Sequence, residues 1–499
     1  MTETPLRPHH HPGLALAEVV PGASGRLTGI CLDSRQVLPG DLYVALPGLR
    51  AHGADFVAAA VARGALAVYT DAAGAARAGD PGVPVVVVPD PRAGMGELAA
   101  RIYGRPARRL TMFGVTGTNG KTSTVFLLEA ALAALGRRVA TIGTIGFRLG
   151  GELVESPRGT VTTPDAPDLQ AMLARMAERG ADSVAMEVSS HALALHRVDG
   201  LTFDVAGFTM FGQDHLDYHA TLEDYFAAKA RLFTDELARA AVINADDPWG
   251  RRLIDRIRSD GGPRLVTVGV DADDVDYRVT AWASRADGSS DVTVRTPVGV
   301  LEFPVSMLGD FNVRNALTAL AMVGAAGLDV ARAASGLVDA QVPGRMQRVH
   351  LGAGRPHVVV DFAHTPQAVE AALRALPAGR HVVVLGAGGD RDPLKRGPMG
   401  AAAARNADVV VVTDDNPRSE DPAAIRAAVL EGARSAAGAG VRVLDGGDRR
   451  AAIHAALDLA GPGEWVAILG KGHETGQTIG DEVIPFDDVQ VVRDWAGRH

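Results

Sequence analysis

Cysteine, aromatic residues and long apolar runs are all scarce in this sequence, and each scarcity excludes a class of protein. Cys31 is the single cysteine among 499 residues, which excludes an intramolecular disulfide and therefore a disulfide-stapled secreted scaffold. The longest apolar runs, such as the one from Val83 to Val88, are far shorter than the roughly 18 residues of a membrane span. The opening residues, MTETPLRPHHHPG, lack the apolar core of a signal peptide. We therefore expect a cytoplasmic protein without a membrane span.

An excess of positive charge is also missing. The chain carries 50 Lys and Arg against 59 Asp and Glu, for a formal net charge of −9. That balance argues against binding to nucleic acid or to anionic membranes. The hydrophobic content of 47% and the charged content of 22% are those of a folded globular protein rather than a disordered one. At about 150 residues per domain, the length predicts about three domains.

Apolar β-like runs alternate with alanine-rich helical stretches along most of the chain. Unbroken apolar runs suit strands that are buried on both faces, and the intervening helices imply parallel sheets. The sequence therefore predicts an α/β fold. The clearest runs are 84–90, 110–115, 264–270, 357–362, 381–387 and 409–415. Between Asp271 and Phe303 the pattern changes to short alternating strands, which predict an antiparallel extension of a sheet.

Two segments have the composition of domain boundaries. The stretch from Tyr103 to Arg109 is basic, contains Gly and Pro, and precedes a new strand. A Gly/Pro pair within the stretch from Asp339 to Val349 separates a helical segment from another β run. We predict an N-terminal domain over residues 1–107, a central domain over 108–341 and a C-terminal domain over 342–499.

The sharpest local pattern is a glycine-rich loop, GVTGTNGKTST, from Gly114 to Thr124. It lies between a strand-like and a helix-like run, so that backbone N–H groups and a helix N-terminus would cradle phosphate. In such a loop Lys121 neutralises the outer phosphates and the hydroxyl of Thr122 binds Mg²⁺. The strict G-x-x-x-x-G-K-[ST] spacing is broken because Val115 stands in place of the first glycine. We predict an ATP or GTP site, with a chance glycine turn as the weaker alternative.

Downstream of this loop stand side chains that suit a divalent metal. Glu187, Asp214 and His215 offer hard or borderline ligands, and Mg²⁺ is expected beside nucleotide phosphates. Taken singly, each has an ordinary alternative as a turn or cap residue. The run His9-His10-His11 could also bind metal, but a disordered polar tail is the favoured interpretation.

Lys229 is ambiguous from the sequence. Its helical segment places Phe226, Lys229 and Phe233 on one face, by i, i+3, i+7 spacing. A lysine on an apolar face usually snorkels, with its stem packed and its ammonium in water. The pattern alone favours that interpretation.

Several segments together resemble the ATP-dependent Mur ligases. They are the glycine-rich loop, EVSSHAL (187–193), DHLDYH (214–219), AAKARLF (227–233) and GDFNVRNALTA (309–319). Further segments narrow the resemblance to the Mur ligases that add the third residue of the peptidoglycan stem peptide. These are GRMQRV (344–349), DFAHTP (361–366), GGDRDPLKRGPMG (388–400), DDNPRSEDP (414–422) and GKGHE (470–474). The resemblance extends from Asp33 to Glu474.

The resemblance implies three domains: an N-terminal domain for the UDP-sugar, a central ATPase domain and a Rossmann-like domain for the incoming amino acid. It implies that ATP, with Mg²⁺, converts a carboxylate of UDP-MurNAc-L-Ala-D-Glu to an acyl phosphate. The amino group of diaminopimelate then attacks it. Such a reaction depends on positioning and electrostatic stabilisation. The enzyme would be monomeric, would act in peptidoglycan precursor synthesis and would have no nucleic-acid partner.

Site residues carry over from the resemblance position by position. The catalytic set is Lys121, Glu187, His215 and Lys229, with Thr122, Glu187, His215 and a carbamylated Lys229 as metal ligands. The nucleotide contacts are Gly117, Thr118, Asn119, Gly120, Lys121, Thr122, Ser123, Asn312, Asn315, Arg345 and Asp361. The contacts to the UDP-MurNAc-dipeptide are Leu32, Ser34, Thr162, Thr163, Ser189 and Arg197. Thr162 and Thr163 precede Pro164, so a simple turn is the alternative for them.

The implied diaminopimelate site is Arg391, Asp415, Asn416, Pro417, Arg418, Gly470 and Glu474. Arg418 presents a planar fork suited to the distal carboxylate, which lysine lacks. Glu474 would face the distal ammonium. The alternative is a DNP turn followed by a surface arginine.

Two departures from the family pattern keep other functions open. The run from Met210 to Gln213 replaces a polar and cationic run, and Leu195 stands where a glutamine is common. The alternatives are a paralogue that acts on another carboxylate and a catalytically silent nucleotide-binding scaffold.

Overall fold

The computed structural model describes residues 7–48, 50–154, 161–212, 214, 218–285 and 287–498. The chain divides into two compact units. The first comprises Met1–Thr280, Thr293–Leu301 and Arg314–Leu337. The second comprises Ala281–Val292, Glu302–Val313 and Val338–His499.

The strands are short and distributed along the whole described chain. They are β1 (Leu14–Ala15), β2 (Arg26–Leu27), β3 (Gly29–Cys31), β4 (Asp41–Ala45), β5 (Ala67–Thr70), β6 (Val85–Val87), β7 (Thr111–Thr116), β8 (Val139–Gly143), β9 (Gly146–Leu149), β10 (Glu152–Val154), β11 (Ser183–Glu187), β12 (Val205–Phe208), β13 (Ala240–Asn244), β14 (Arg264–Gly269), β15 (Tyr277–Ser284), β16 (Ser290–Thr296), β17 (Gly299–Val305), β18 (Gln347–Val349), β19 (His357–Asp361), β20 (His381–Ala387), β21 (Val409–Asp414), β22 (Arg442–Gly447), β23 (Trp465–Leu469), β24 (Gly476–Ile479) and β25 (Glu482–Pro485).

Helices alternate with these strands. They are α1 (Val57–Ala62), α2 (Ala72–Ala78), α3 (Pro91–Ile102), α4 (Lys121–Ala134), α5 (Ala166–Glu178), α6 (Ser190–Ala194), α7 (Leu222–Ala230), α8 (Pro248–Asp260), α9 (Asp310–Ala325), α10 (Val330–Ala334), α11 (Pro366–Arg374), α12 (Arg396–Asn406), α13 (Pro422–Ala436), α14 (Arg449–Leu459) and α15 (Asp488–Ala496). Single 3-10 turns span Leu16–Glu18, Ser34–Gln36, Gly53–Phe56, Pro106–Arg109, Arg231–Phe233, Ser335–Leu337 and Pro393–Lys395.

The first unit contains a small parallel sheet and most of a large one. The small sheet has the order β3-β4-β5-β6, with every neighbouring pair parallel. The large sheet has the order β10-β9-β8-β11-β7-β12-β13-β14-β15-β16-β17 and is parallel from β8 to β15. In its centre β7 lies between β11 and β12, with Glu187 opposite Val115 and Phe208 opposite Thr116. The carboxyl ends of three strands therefore meet at one edge, where an α/β sheet usually binds its ligand.

The second unit has its own sheet, in the order β18-β19-β23-β20-β21-β22. All neighbouring pairs except β18–β19 are parallel. The central strands β19, β20, β21 and β23 are rich in Val, Leu and Ile, because helices cover both faces of the sheet. Their carboxyl ends lead into the segments that carry the DFAHTP, GGDRD, DNPR and GKGHE sequences.

Most of the predicted secondary structure is confirmed. The α/β class is correct, and each of the six apolar runs forms a strand whose limits lie within three residues of the predicted ones. The alternating segment forms β15, β16 and β17. In the described part of the chain, no helix has both the length and the apolar character needed to cross a membrane.

The disordered-tail interpretation of His9-His10-His11 is wrong. The backbone N–H groups of His9 and His10 donate to the Glu178 carboxylate at 2.9 and 2.5 Å. The ring of His11 packs edge-on against Tyr103, with 5.4 Å between the ring centroids. Sequence composition alone could not supply these tertiary partners.

A buried ion pair joins three elements of the second unit. The Nε and Nη2 atoms of Arg449 donate to the two carboxylate oxygens of Asp488 at 2.8 and 2.7 Å. Nη2 also donates to the carbonyl of Leu469, at the end of β23, at 3.2 Å. Both side chains of the pair are fully buried.

Replacing Arg449 by methionine is expected to destabilise the protein by about 3–5 kcal/mol, because the Asp488 carboxylate stays buried without its partner. Urea unfolding followed by circular dichroism measures the loss. Arg450→Met is the matched control, since the adjacent Arg450 forms an exposed pair with Asp494 and should cost less than about 1 kcal/mol. Equal effects of the two substitutions would contradict this assignment.

Candidate active site

The glycine-rich loop connects β7 to α4 at the centre of the large sheet. Gly117 has φ +153° and Gly120 has φ +86°. A Cβ atom on Gly117 would lie 1.9 Å from the hydroxyl oxygen of Thr209, and one on Gly120 would lie 2.5 Å from the side-chain oxygen of Asn315. Both positions therefore require glycine, and the loop backbone packs directly against its neighbours.

A second loop, which follows β12, holds the glycine-rich loop in place. The N–H of Thr118 donates to the carbonyl of Met210 at 2.8 Å, and the hydroxyl of Thr209 donates to the carbonyl of Asn119 at 2.6 Å. Asn244, at the end of β13, donates to the carbonyl of Thr209 at 2.7 Å. Sequence reasoning missed Thr209 and Asn244, because isolated polar residues outside a motif carry no local signal of their role.

Lys121 and Thr122 open helix α4 at this loop. The Lys121 ammonium donates to the carbonyls of Gly117 and Thr118 at 2.8 and 2.9 Å, so its positive charge lies over the loop. Ser123 follows them in the first helical turn and is buried. A cation, a helix N-terminus and backbone N–H groups at one place form an anion site.

A carboxylate lies beside the first turn of this helix. Glu187, the last residue of β11, accepts a hydrogen bond from the Thr122 hydroxyl at 3.0 Å and one from the Thr144 N–H at 2.9 Å. Glu187 is 1% exposed. A hydroxyl and a carboxylate are oxygen ligands of the kind that Mg²⁺ prefers, and Mg²⁺ usually takes its remaining ligands from phosphate and water. The residues present therefore fit a magnesium–nucleotide complex.

His215, the histidine of the predicted metal-ligand set, lies outside the described residues, as does Gln213. Among the residues that the structure describes, no cluster of three or more His, Cys, Asp or Glu side chains could hold a metal by itself.

Lys229 lies on α7, and its ammonium is directed into the protein. The residue is 1% exposed, and its Nζ donates to the carbonyl of Gly117 at 2.9 Å. Nζ also lies 4.5 Å from the centroid of the Tyr225 ring. Burial and the Lys121 ammonium hold the pKa of Lys229 well below its ordinary value, with Asp214 acting in the opposite direction. The snorkelling interpretation is therefore wrong.

The predicted dipeptide contacts in the large sheet cluster around Glu187. The Thr163 hydroxyl donates to the Glu187 carbonyl at 2.9 Å and accepts from the Ser189 N–H at 3.2 Å. Arg197 donates to the Thr163 carbonyl at 2.9 Å and pairs with Asp165 at 3.1 Å. The Thr163 hydroxyl thus acts as both donor and acceptor to the segment from Glu187 to Ser189. It has this structural role in addition to any contact with substrate.

The other predicted contacts in this part of the chain occupy several elements. The hydroxyls of Thr162 and Thr144 lie 3.2 Å apart. Leu32 and Ser34 follow β3 in the small sheet, and Ser34 is buried. On α9, Asn315 packs against Gly120, whereas Asn312 is 1% exposed and donates to the carbonyl of Leu308 at 2.8 Å.

Arg345 and Asp361 lie together in the second unit. Asp361 accepts backbone hydrogen bonds from Met346 at 2.7 Å and from Ala363 at 2.9 Å. Burial raises the pKa of Asp361, and the Arg345 guanidinium opposes that rise. The Arg345 guanidinium also lies 4.7 Å from the centroid of the Phe362 ring, a favourable cation–π contact.

The predicted amino-acid contacts gather at the carboxyl ends of β20, β21 and β23. Asn416 donates to the Glu474 carboxylate at 2.8 Å, and Arg418 donates to the carbonyl of Gly389 at 2.6 Å. Gly470, with φ +114°, allows Asp415 to approach, because a Cβ there would lie 2.5 Å from the Asp415 carboxylate. Pro417 lies between Asn416 and Arg418, and Arg391 is exposed in the loop after β20.

Lys471 is a member of this cluster that sequence reasoning missed. It is fully buried, and its ammonium donates to Asn416 at 3.1 Å, to Glu474 at 3.3 Å and to the carbonyl of Gly476 at 2.6 Å. All three ammonium protons are therefore used inside the protein. Its position within GKGHE was a signal, but the motif does not indicate which way the side chain points.

Three family models match successive parts of the chain. They are Mur ligase family, catalytic domain, over residues 26–103, Mur ligase middle domain over residues 115–323, and Mur ligase, glutamate ligase domain, over residues 344–472.

Curated relatives match over nearly the full length. A UDP-N-acetylmuramoyl-L-alanyl-D-glutamate--2,6-diaminopimelate ligase of Streptomyces avermitilis is 48% identical, covering 98% of each chain. The protein of the same name from Streptomyces coelicolor is 50% identical over 96% of this chain and 94% of its own. A UDP-N-acetylmuramyl-tripeptide synthetase of Leifsonia xyli subsp. xyli is 44% identical over 99% of this chain and 98% of its own.

Solved structures give the same result for the fold. A UDP-N-acetylmuramoyl-L-alanyl-D-glutamate--2,6-diaminopimelate ligase superposes with a TM-score of 0.74 at 33% identity, covering 98% of this chain and 99% of the other. A Mycobacterium tuberculosis folylpolyglutamate synthase with bound ADP and AMPPCP superposes with a TM-score of 0.58 at 21% identity, covering 80% of this chain and 94% of the other. The second likeness concerns the fold alone.

Proposed function

The chain belongs to the Mur ligase family, and on that premise we propose that it is an ATP-dependent ligase that joins diaminopimelate to UDP-MurNAc-L-Ala-D-Glu. The observation that carries the choice of amino acid is that a cation, Arg418, and an anion, Glu474, belong to the same cluster of residues. Arg418 stands two residues from Asn416, whose amide donates to the Glu474 carboxylate. A cation and an anion in one cluster of residues suit a ligand whose distal end carries both a carboxylate and an ammonium.

The chemistry requires activation of a carboxylate, because a carboxylate is a poor electrophile. A carboxylate oxygen of the dipeptide attacks the γ-phosphorus of ATP, the bond to the β-phosphate oxygen breaks, and ADP leaves. The amino nitrogen then attacks the carbonyl carbon of the acyl phosphate. Phosphate leaves with its bridging oxygen, the nitrogen gives up a proton, and an amide remains. The protein contributes mainly positioning and electrostatic stabilisation.

The residues of the large sheet supply that stabilisation. Backbone N–H groups of the glycine-rich loop and the Lys121 ammonium bind and orient the phosphates. Thr122 and Glu187 would hold Mg²⁺, together with His215 and a carbamylated Lys229. The ion would neutralise negative charge on the phosphoryl group. As separate calls, we propose Asn312, Asn315, Arg345 and Asp361 as contacts to the nucleotide.

The state of Lys229 supports its proposed carbamylation. The reaction needs an uncharged amine: the lone pair of Nζ attacks CO₂, a proton leaves, and an anionic carbamate forms. Burial and the nearby Lys121 charge lower the pKa of Lys229, which increases the uncharged fraction. A carbamate also supplies a hard oxygen ligand, whereas an ammonium would be repelled by Mg²⁺.

Glu187→Gln is expected to lower kcat about 100-fold and to raise the Mg²⁺ concentration for half-maximal activity, because an amide oxygen carries no negative charge. Phosphate release measured across a Mg²⁺ titration tests this. Glu152→Gln, on the exposed edge strand β10, is the control and should behave as the unmodified protein. An unchanged Mg²⁺ requirement in Glu187→Gln would remove Glu187 from the proposed ligand set.

We also propose that the chain has three functional domains, over residues 1–107, 108–341 and 342–499. The four-, eleven- and six-stranded sheets each lie within one of these ranges, and three successive family-model matches agree with them. Leu32, Ser34, Thr162, Thr163, Ser189 and Arg197 would bind the UDP-MurNAc-dipeptide. The reaction would take place in the cytoplasm on a monomer, as a step of peptidoglycan precursor synthesis.

A ligase cleaves ATP only when its acceptor and its amino acid are both present, whereas a catalytically silent scaffold does not. We expect phosphate release only when ATP, UDP-MurNAc-L-Ala-D-Glu and diaminopimelate are all present. Constant or absent ATP cleavage, whatever acceptor is added, would contradict the ligase assignment. Cleavage that needs a different carboxylate would favour the paralogue, for which Leu195 and the Met210 to Gln213 run are the motivating departures.

A further inference from the structure

A small hairpin follows the GKGHE segment and stands apart from the main sheets. Strands β24 and β25 pair antiparallel, with Gly476 opposite Pro485 and Ile479 opposite Glu482. The Lys471 ammonium donates to the Gly476 carbonyl at 2.6 Å, which ties the start of the hairpin to the amino-acid cluster. The hairpin also contacts the backbone of the DNPR tetrad, Asp415 to Arg418.

The hairpin pairs with Arg418 through two backbone hydrogen bonds. The N–H of Arg418 donates to the Thr478 carbonyl at 3.0 Å, and the N–H of Gly480 donates to the Arg418 carbonyl at 2.7 Å. Arg418 has φ +51°, a conformation that residues other than glycine rarely adopt. Such a conformation persists only where the surroundings hold it. The hairpin holds the backbone of Arg418 by these two bonds, and the Arg418 side chain donates to the carbonyl of Gly389.

The hairpin also determines which way Asn416 faces. The N–H of Thr478 donates to the Asn416 side-chain oxygen at 2.9 Å. The Lys471 ammonium donates to the same oxygen at 3.1 Å. With both donors on the oxygen, the Asn416 NH₂ group is left to donate to the Glu474 carboxylate at 2.8 Å. The hairpin therefore shares with Lys471 the fixing of the Asn416 amide, which donates to Glu474.

Gln477 completes the connection. Its side-chain NH₂ donates to the carbonyl of Asp415 at 2.7 Å, and the residue is 6% exposed. Asp415 directly follows β21, so this hydrogen bond is made at the point where the tetrad leaves the sheet. Without this hydrogen bond the Asp415 carbonyl would lack its partner, and the hairpin would no longer hold the first residue of the tetrad.

We propose that the hairpin from Gly476 to Pro485 sets the amino-acid selectivity of this site, with Gln477 as a positioning residue that acts through the DNPR tetrad. The inference rests on the proposed function, because it assigns the selectivity of that same site. The hairpin supplies hydrogen bonds to Asp415, Asn416 and Arg418, and it thereby fixes the relative placement of the Arg418 guanidinium and the Glu474 carboxylate. A ligand with two charged distal groups requires that placement, whereas lysine has only the ammonium.

The test compares variants of the hairpin in the full-length enzyme. Gln477→Met removes the hydrogen-bond donor and keeps a similar side-chain volume. Gly480→Ala strains the backbone of an exposed turn, because φ is +59° there, without a clash of the added Cβ with any neighbour. Val483→Thr, on the exposed face of the same hairpin, is the control. For each protein we would measure melting temperature, kcat/KM for diaminopimelate and for lysine, and KM for ATP and for UDP-MurNAc-L-Ala-D-Glu.

We expect Gln477→Met and Gly480→Ala to raise KM for diaminopimelate about tenfold and to reduce its preference over lysine. KM for the other two substrates and all values of Val483→Thr should stay within about twofold. Either variant, if folded and as selective as the unmodified enzyme, would overturn the proposal. Equal increases in all three KM values would also overturn it, because they would mean general loosening. An unmodified protein inactive with both amino acids would instead overturn the proposed function itself.

Discussion

Lys229→Ala is expected to lower kcat at least about a thousandfold, and added bicarbonate is not expected to restore it. The buried Lys229 amine lies beside the glycine-rich loop, with its Nζ 2.9 Å from the Gly117 carbonyl oxygen. If its role is to form a carbamate, an alanine side chain leaves no atom that CO₂ could modify. Phosphate release at saturating substrates, with and without bicarbonate, measures the effect.

Two further variants separate the carbamate from a simple buried amine. Lys229→Arg keeps a cation and hydrogen-bond donors, but a guanidinium does not form a carbamate at neutral pH, so this variant should be as inactive as Lys229→Ala. Glu223→Ala, at an exposed position of α7, should retain full turnover. Near-normal turnover in Lys229→Ala, or substantial turnover in Lys229→Arg, would show that carbamylation is not needed.

Arg418→Ala is expected to raise KM for diaminopimelate by about 100-fold or more and to leave KM for ATP unchanged. The guanidinium is held in place by its hydrogen bond to the Gly389 carbonyl at 2.6 Å and by the constrained backbone of Arg418. Its planar fork suits a carboxylate, and alanine offers no charge there. Initial-rate kinetics with diaminopimelate varied at saturating ATP measure the loss.

Arg418→Lys and Arg434→Ala complete this experiment. Lysine keeps the charge but loses the bidentate geometry, so Arg418→Lys should still show a KM for diaminopimelate well above that of the unmodified enzyme. Arg434 is exposed on α13, and its removal should have no effect. A small change in KM in Arg418→Ala would mean that Arg418 is the surface arginine of the alternative interpretation.

The strands and the glycine-rich loop could be predicted because their signals are local. Buried parallel strands require unbroken apolar runs, and β20 and β21 were visible as such runs. The loop was visible because the positive φ of Gly117 and Gly120 restricts those positions to glycine. In both cases a few neighbouring residues carry the whole constraint.

The environment of Lys229 could not be predicted from its helix. The spacing of Phe226, Lys229 and Phe233 correctly placed all three on a buried face. Whether the ammonium reaches water depends on Gly117 and Tyr225, and Gly117 lies 112 positions away in the chain. Helical periodicity records the face of a residue and contains no information on where the end of a long side chain points.

The supporting residues of both sites were missed for a related reason. Asn244 donates to the loop after β12, which supports the glycine-rich loop. Gln477 donates to the DNPR tetrad, which contains Arg418. Each acts through one hydrogen bond to a backbone carbonyl that is distant in sequence. Such a bond leaves no repeated pattern or spacing, so it becomes visible only once the fold is known.

The most direct test of the proposed function is product formation with three amino acids supplied separately. The purified protein would be given ATP, Mg²⁺ and UDP-MurNAc-L-Ala-D-Glu with meso-diaminopimelate, LL-diaminopimelate or lysine, and phosphate release and product mass would be followed. We predict phosphate release and a UDP-MurNAc-tripeptide with a diaminopimelate isomer, and neither with lysine. Turnover with lysine alone, or no tripeptide with any of the three despite ATP binding, would contradict the account.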